Sequence, residues 1–229
     1  MLMRPTTTAV ATRNSRYQFP RSGVDINSLA GSMELMGTRI SYARNVEIFG
    51  EGEPAEYLYK VVSGSVRSCK ILDDGRRQVT GFHMVGEVFG LEPDEEHQFS
   101  AEAVNDSVVL VVKRSAIIGL AARDADIARQ LWAMTARELQ RVQDHMLILG
   151  CMSAKQRVAA FLLHMALHSS RGDEIELPMT RQDIADYLGM TIETVSRTMT
   201  QLEKDAAIGL ASARRIVLRN RTVLTTLNA

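Results

Sequence analysis

Residues 180–203 read TRQDIADYLGMTIETVSRTMTQLE, which is the pattern of two short helices joined by a turn. Gly189 marks the turn, because glycine adopts a positive φ without the steric cost that other residues meet. Thr180, with Asp183 three residues later, has the form of a capping box, and Thr191 is a suitable N-cap for the second helix. Both helix starts are marked, so this stretch predicts a helix-turn-helix.

The two predicted helices are amphipathic. Their apolar residues recur at intervals of three, four and seven, as on a face where helices pack together: Ile184, Leu188, Val195, Met199 and Leu202. The opposite face of the second helix carries Glu193, Ser196 and Arg197. Arginine can donate two hydrogen bonds to guanine and glutamate can accept one from cytosine, although the same Glu–Arg spacing also suits a surface ion pair. We expect Glu193 and Arg197 to contact the bases of double-stranded DNA.

The composition narrows the class of protein. The chain has 229 residues, 45% of them hydrophobic, which is enough for two domains with their own cores. Its 27 basic and 27 acidic residues give a formal net charge of zero. Specific contacts to DNA must therefore matter more for binding than a general electrostatic attraction to the phosphates. Cys69 and Cys151 are far apart, which indicates neither a disulfide framework nor a zinc site. With no long apolar run to span a membrane, a cytoplasmic protein is expected.

Four regions follow one another along the chain. Residues 1–28 predict a flexible, basic N-terminal tail. Residues 29–122 contain short β-rich runs broken by turn residues, which is typical of a jelly-roll-like β-roll. Residues 123–150 predict a long helix, and residues 151–229 predict a winged helix-turn-helix whose wing is a hairpin over 208–217. The fold class is therefore α+β.

The long helix has two apolar stripes. Its downstream half has the a/d spacing of a two-stranded coiled coil: Leu139, Val142, Met146 and Leu149. In the upstream half, apolar residues with a similar spacing lie on a neighbouring face of the helix: Ile127, Leu131 and Met134. We expect the upstream stripe to pack on the β-roll and the downstream stripe to form a homodimer interface. The alternative is that one stripe simply packs on the protein's own roll. A two-fold dimer presents its recognition helices to successive major grooves about 34 Å apart.

With this order of elements, nearly the whole chain resembles the CRP/FNR superfamily of bacterial transcription regulators. Residues 52–67 resemble the first signature of that family's roll, and residues 78–91 resemble the FNR form of the second. The Glu193-x-x-Ser196-Arg197 pattern is similar to the recognition helix of the FNR and FixK branch. The resemblance implies a DNA target of the form TTGAT-N4-ATCAA read by these three residues. It also implies contacts to the DNA phosphates from Thr180, Arg181, Thr191 and Thr194.

Departures from the family argue against a bound effector. Cyclic-nucleotide-binding members hold the phosphate with an arginine and a serine in the roll, where this chain has residues 97–100, His-Gln-Phe-Ser. FNR holds its iron–sulfur cluster with cysteines mostly near the N-terminus, and this chain has none before Cys69. His83 could ligate haem, but a lone histidine in a roll is more often structural. We therefore expect no cofactor.

These absences favour the FixK-like branch, whose members activate genes of microaerobic respiration, denitrification and nitrogen fixation without a cofactor of their own. A ligand- or haem-responsive sensor of the same family is the alternative. Jelly rolls also host metal-dependent enzymes, but those need clustered histidine and carboxylate ligands, and His83 and His97 are not clustered in the sequence. We expect no enzyme.

Three acidic residues have predicted roles. If the end of the first helix faces the DNA backbone, a neutral residue in place of Asp183 should raise DNA affinity with little loss of stability; simple capping is the alternative. Asp74-Gly75 predicts a hairpin turn. By analogy with activating loops of the family, Asp73 and Asp74 at its tip are candidates for contact with RNA polymerase, against the alternative that they only aid solubility.

Overall fold

The computed structural model describes residues 27–169 and 171–227. It confirms the predicted α+β architecture, with a β-roll, a long helix and a C-terminal winged helix-turn-helix in that order. The predicted N-terminal tail lies outside the described residues up to residue 26. The first helix begins at Asn27, so the last two residues assigned to that tail are helical.

The N-terminal half contains the elements of the roll and its flanking helices. They are α1 (Asn27–Met36), β1 (Thr38–Tyr42), β2 (Glu47–Phe49), β3 (Tyr57–Ser63), β4 (Val66–Ile71), β5 (Arg77–His83), β6 (Val88–Phe89), β7 (Ser100–Ala103), β8 (Ser107–Lys113) and α2 (Arg114–Ala121). The strands form two antiparallel four-stranded sheets, ordered β1-β8-β3-β6 and β2-β7-β4-β5. Gly75 has a φ of 81° in the turn between β4 and β5, which confirms the predicted hairpin.

The C-terminal half contains the long helix and the winged helix-turn-helix, which is the expected DNA-binding domain. Its elements are α3 (Ala125–Cys151), α4 (Ala154–Leu167), β9 (Glu174–Glu176), α5 (Arg181–Leu188), α6 (Ile192–Lys204), β10 (Ile208–Leu210), β11 (Arg215–Leu218) and α7 (Arg221–Leu227). Asp124 caps α3 by accepting from the backbone N–H groups of Asp126 and Ile127. The wing is a three-stranded sheet ordered β10-β11-β9, of which the sequence predicted only the hairpin over 208–217.

The hydrophobic core does not stop at the boundary between the roll and the DNA-binding domain. Cys69, Val79 and Phe82 of β4 and β5 belong to the same buried cluster as the interior of α4, α5 and α6. The Phe82 ring centroid lies 6.3 Å from that of Phe161 in α4 and 5.3 Å from that of Tyr187 in α5. The DNA-binding domain is therefore seated on the β4–β5 hairpin by apolar contacts.

Candidate DNA-binding site

Helices α5 and α6 form the predicted helix-turn-helix. The Thr180 hydroxyl accepts from the Asp183 backbone N–H, and the Asp183 carboxylate accepts from the Thr180 backbone N–H, which completes the predicted capping box. Gly189 ends α5 with φ 60° and ψ 44°, the left-handed conformation expected at the turn. Thr191 caps α6 by accepting from the Thr194 backbone N–H. The predicted inward residues are all buried: Ile184, Leu188, Val195, Met199 and Leu202.

The outward face of α6 carries the predicted base-reading residues. Glu193, Ser196 and Arg197 are exposed on one side of the helix. Within the described residues no ion pair joins Glu193 to Arg197; instead the Arg197 guanidinium donates to the Thr194 hydroxyl at 3.3 Å. Hydrogen bonds from its own backbone N–H and from Thr191 hold the pKa of Glu193 below its ordinary value. This face presents an ionised acceptor and a cationic donor that do not neutralise each other.

The four predicted phosphate contacts differ in what they offer. Thr191 is exposed at the start of α6, with Thr194 half-buried beside it. Arg181, the first residue of α5, is half-buried, and its Nη1 is buried without a hydrogen-bond partner among the described residues. Thr180 differs, because both its hydroxyl and its backbone N–H donate to Asp183. In this arrangement Thr180 has no free donor for a phosphate.

Asp183 lies inside the protein and not on the surface that would face DNA. The residue is 2% exposed, and its Oδ1 accepts from Arg67 Nη1 at 3.0 Å and from Arg77 Nη2 at 2.6 Å. Burial alone would raise the pKa of Asp183, but hydrogen bonds from Thr180 and the charges of Arg67 and Arg77 outweigh it and lower the pKa. From the sequence, little loss of stability was expected when Asp183 is neutralised; because this carboxylate is buried between two arginines, we expect a substantial loss instead.

Asp183 belongs to a salt-bridge cluster between the two domains, consisting of Arg67, Arg77, Glu102, Asp183 and Asp186. Arg67 Nε donates to Glu102 at 2.9 Å, and Arg77 Nε donates to Asp186 at 2.9 Å. The three carboxylates and two guanidiniums thus satisfy one another with little exposure to solvent. A buried cluster of this kind fixes geometry, because removing one partner leaves an uncompensated charge.

Sequence reasoning missed Arg67 and Arg77, although one signal was available. Side chains alternate between the two faces of a strand, so Arg67 shares a face with Cys69, which is buried. An arginine at an inward position needs a carboxylate partner. Nothing in the sequence showed that this partner was in α5.

The downstream stripe of α3 is exposed in a single protomer. The side chains of Leu139, Val142 and Met146 are 59%, 54% and 66% exposed, whereas Leu149 is half-buried beside Gly189. Trp132 lies seven residues before Leu139 on the same stripe and is 76% exposed. Exposed apolar side chains aligned in this way mark an interaction surface.

The upstream stripe of α3 packs inward, as predicted. Ile127 is 1% exposed in the cluster that joins α1, α2 and α3 to the roll, and Leu131 and Met134 pack against that cluster.

The interior of the roll is filled by its own aromatic side chains. The His97 ring stacks on Phe49 with centroids 3.6 Å apart, and Tyr59 and Phe89 continue the stack. His83 is buried against Phe89, bonded to the Ser68 hydroxyl at 2.8 Å, and burial holds its pKa well below the ordinary value. These contacts pack the aromatic and histidine rings of the roll against one another.

Other candidate groups can be placed directly. Asp73 and Asp74 are exposed at the tip of the β4–β5 hairpin, and Asp74 pairs with Arg76 at 2.7 Å. Cys69 is buried, which raises its pKa to about 11, and Cys151 is exposed. Across residues 27–169 and 171–227, no group of three or more His, Cys, Asp or Glu side chains could hold a metal ion. In the same ranges, every helix is too short or too polar to cross a membrane.

Comparison with known proteins identifies both halves of the chain. Residues 156–227 match the Crp-like helix-turn-helix domain family, and residues 39–124 match the cyclic nucleotide-binding domain family. A nitrogen fixation regulation protein FixK from Azorhizobium caulinodans is 49% identical over 199 residues, covering 85% of this chain and 80% of that protein. FixK from Rhizobium meliloti is 38% identical, with 86% and 91% covered.

A solved structure gives the same result. FixK2 from Bradyrhizobium japonicum superposes with a TM-score of 0.82 at 52% identity, covering 85% of this chain and 98% of that one. The chain belongs to the FixK family of CRP/FNR transcriptional activators, and α5 and α6 are the helices of its DNA-binding domain.

Proposed function

We propose that the chain is a homodimeric activator of microaerobic, denitrification and nitrogen-fixation-type genes in the cytoplasm. It binds a TTGAT-N4-ATCAA-like palindrome, with Glu193, Ser196 and Arg197 as base readers. The observation that carries this proposal is the outward face of α6, where Glu193 and Arg197 are exposed and not paired with each other. An arginine in this position can bond the single guanine of the half-site bidentately.

The base-contact proposal is tested by fluorescence anisotropy with the palindrome and with a duplex in which each half-site guanine is replaced by adenine. Arg197→Ala should lower the preference for the guanine duplex by about 1–3 kcal/mol per half-site. Arg214, exposed in the wing loop, supplies a matched control: Arg214→Gln should weaken binding to both duplexes alike. Unchanged discrimination by Arg197→Ala would refute the assignment.

Phosphate contacts are assigned to Arg181, Thr191 and Thr194, with Thr180 acting mainly through the capping box. Arg181 is supported by its position as the first residue of α5, directly after the N-cap of the helix-turn-helix. Arg181→Gln should weaken binding to all sequences and reduce the slope of log affinity against log salt by about one per subunit. A change of sequence preference without a change of slope would contradict this role.

DNA binding is proposed to need no bound effector, because residues 97–100 read His-Gln-Phe-Ser where cyclic-nucleotide-binding members of the family carry an arginine and a serine. Protein purified without additives should therefore bind the palindrome and activate transcription in vitro. A haem- or ligand-responsive regulator is the alternative, and activity that appears only after an effector is added would favour it.

The dimer is proposed to form through Leu139, Val142, Met146 and Leu149 of α3, extended towards Trp132. RNA polymerase is the proposed second partner, through Asp73 and Asp74. Alanine at both aspartates should lower transcription and leave the Kd for the palindrome unchanged. Normal transcription by that double variant would remove the hairpin tip as a contact.

Asp183 is proposed to influence DNA affinity through the position of the DNA-binding domain and not through direct repulsion of phosphate. Its carboxylate joins α5 to Arg67 and Arg77 of the roll. Affinity changes caused by Asp183→Asn should therefore be reproduced by Arg67→Gln, which has the opposite effect on charge. Opposite affinity changes in the two variants would favour direct electrostatics instead.

A further inference from the structure

A cavity of about 410 Å³ lies where α3 meets the DNA-binding domain. Its walls come mainly from α3 and α4, with Tyr187 of α5 and Glu87 of the roll. Small-molecule sites typically enclose about 300–1,000 Å³, so the volume is sufficient for a ligand. The aromatic stack inside the roll, including Phe49 and His97, does not line this cavity. It is a separate site.

One charge in the wall is left without a partner. Arg137 of α3 lines the cavity, and within the described residues it makes no hydrogen bond or ion pair. The neighbouring Arg141 differs, because it pairs with Glu138 at 2.7 Å and donates to the Phe82 carbonyl at 3.3 Å. An arginine that is partly removed from water and unpaired favours an anionic partner.

The carboxylates in the wall are already engaged. Glu87 accepts from the Met84 backbone N–H at 2.7 Å, and Asp144 accepts from the Gln140 side chain at 2.9 Å. Neither forms an ion pair with Arg137. The cavity can therefore take an anion at Arg137 without first breaking a salt bridge.

Another part of the wall is formed by flat rings and apolar side chains. The ring of His145 stacks on that of Tyr187 with centroids 4.0 Å apart, and its Nε2 bonds the Tyr187 carbonyl at 2.8 Å. Burial lowers the pKa of His164 to about 4 and also lowers that of His145. Phe161 and Ile148 complete an apolar surface. Such walls suit a planar apolar body with few polar groups.

The cavity remains open when two protomers associate through the proposed dimer stripe. Four of the six α3 residues that line it lie two positions from a residue of that stripe, which is roughly 200° around the helix at 3.6 residues per turn. They are Arg137, Arg141, Asp144 and Ile148, against Leu139, Val142 and Met146 of the stripe. The partner helix therefore approaches the other side of α3.

We propose that this cavity binds a small organic carboxylate with a flat apolar body, whose carboxylate pairs with Arg137. Because its walls come from both α3 and the DNA-binding domain, an occupant fixes the angle between them. Under the proposed function, DNA binding needs no ligand, so a ligand in this cavity modulates DNA binding and is not required for it. Ligand binding in the cavity and effector-free DNA binding can therefore be tested separately.

Isothermal titration of the full-length dimer with sodium 1-naphthoate tests the site. One molecule should bind per protomer, and Arg137→Gln should weaken binding about tenfold, as expected for losing a charged hydrogen bond. Arg137→Lys should recover part of the affinity. Arg129→Gln is the matched control, because Arg129 is exposed on the same helix and pairs with Asp126. The neutral analogue 1-naphthalenemethanol should bind more weakly and be insensitive to Arg137→Gln, and inorganic phosphate should not bind.

Histidine NMR locates the bound molecule, because the chain has five histidines in two groups. His145, His164 and His168 line the cavity, and His83 and His97 lie in the roll. Bound 1-naphthoate should shift the ring signals of the first group only. Shifts confined to the second group, equal affinity of wild type and Arg137→Gln, or no binding by the wild type at millimolar 1-naphthoate would each overturn the proposal.

Discussion

Replacing Asp183 by asparagine should destabilise the protein strongly, although the side chain keeps its size. The carboxylate accepts four hydrogen bonds: from the Thr180 backbone N–H at 2.8 Å, the Thr180 hydroxyl at 2.7 Å, Arg67 at 3.0 Å and Arg77 at 2.6 Å. Removing one partner of a buried ion pair costs about 3–5 kcal/mol. Glu102 still pairs with Arg67, and Asp186 still pairs with Arg77, which places the loss near the lower end, at about 3 kcal/mol.

Differential scanning calorimetry at pH 7 measures this loss. For a chain of this length, about 3 kcal/mol corresponds to a fall in Tm of about 6–12 °C. Asp173→Asn is the control, since Asp173 is 60% exposed and pairs with Arg221 on the surface, where a salt bridge contributes at most about 1 kcal/mol. A fall in Tm for Asp183→Asn no larger than that of the control would refute the reasoning.

The dependence on pH gives a second check on Asp183. Its pKa is lowered in the folded protein, so its contribution is present above the ordinary value of about 4 and is lost as pH falls through the folded pKa. The Tm difference between wild type and Asp183→Asn should therefore hold from pH 7 to about pH 4 and narrow only below it.

Three further predictions concern the helices. Met146→Lys should place a charge in the dimer stripe and shift the protein to monomers, seen by analytical ultracentrifugation and by a change in fluorescence of Trp132. Gly189→Ala should lower the free energy of unfolding in urea by about 1–2 kcal/mol, because alanine is strained at φ 60° and its Cβ would lie 3.3 Å from Leu149. An unchanged free energy of unfolding would contradict this. Burial lowers the pKa of His164 to about 4 in the folded protein. As pH falls from about 6.5 to 4, the unfolded state therefore takes up a proton at His164 before the folded state does, and the protein becomes less stable. His164→Gln should reduce the accompanying fall in Tm.

The helix-turn-helix could be predicted from sequence because its signals are local. The capping residues Thr180 and Thr191, the turn at Gly189 and the apolar spacing all lie within one short stretch, and each was confirmed. The hairpin at Gly75 was equally local. By contrast, β9 has three residues, in a stretch of mostly charged and polar sequence, and it exists because it pairs with β11. Short strands of that kind depend on tertiary context.

The surroundings of Asp183 could not be predicted, for a similar reason. Its capping role depends on a residue three positions away, whereas its partner Arg67 is 116 positions away. Sequence spacing shows which side chains share a helix face but not which strand packs against that face. The sequence therefore predicted the capping box of Asp183 but not the burial of the same carboxylate between Arg67 and Arg77.

The apolar cluster that joins Phe82 to Phe161 and Tyr187 limits how this regulator can be recombined with its relatives. A chimera that exchanges only residues 151–229 would bring a foreign α4 and α5 against the native β4–β5 hairpin. In such a hybrid, the foreign α4 and α5 must pack against the native hairpin and must supply carboxylate partners for Arg67 and Arg77. Under the proposed base contacts, recognition specificity is therefore better transferred by grafting the exposed positions of α6 than by exchanging the whole domain.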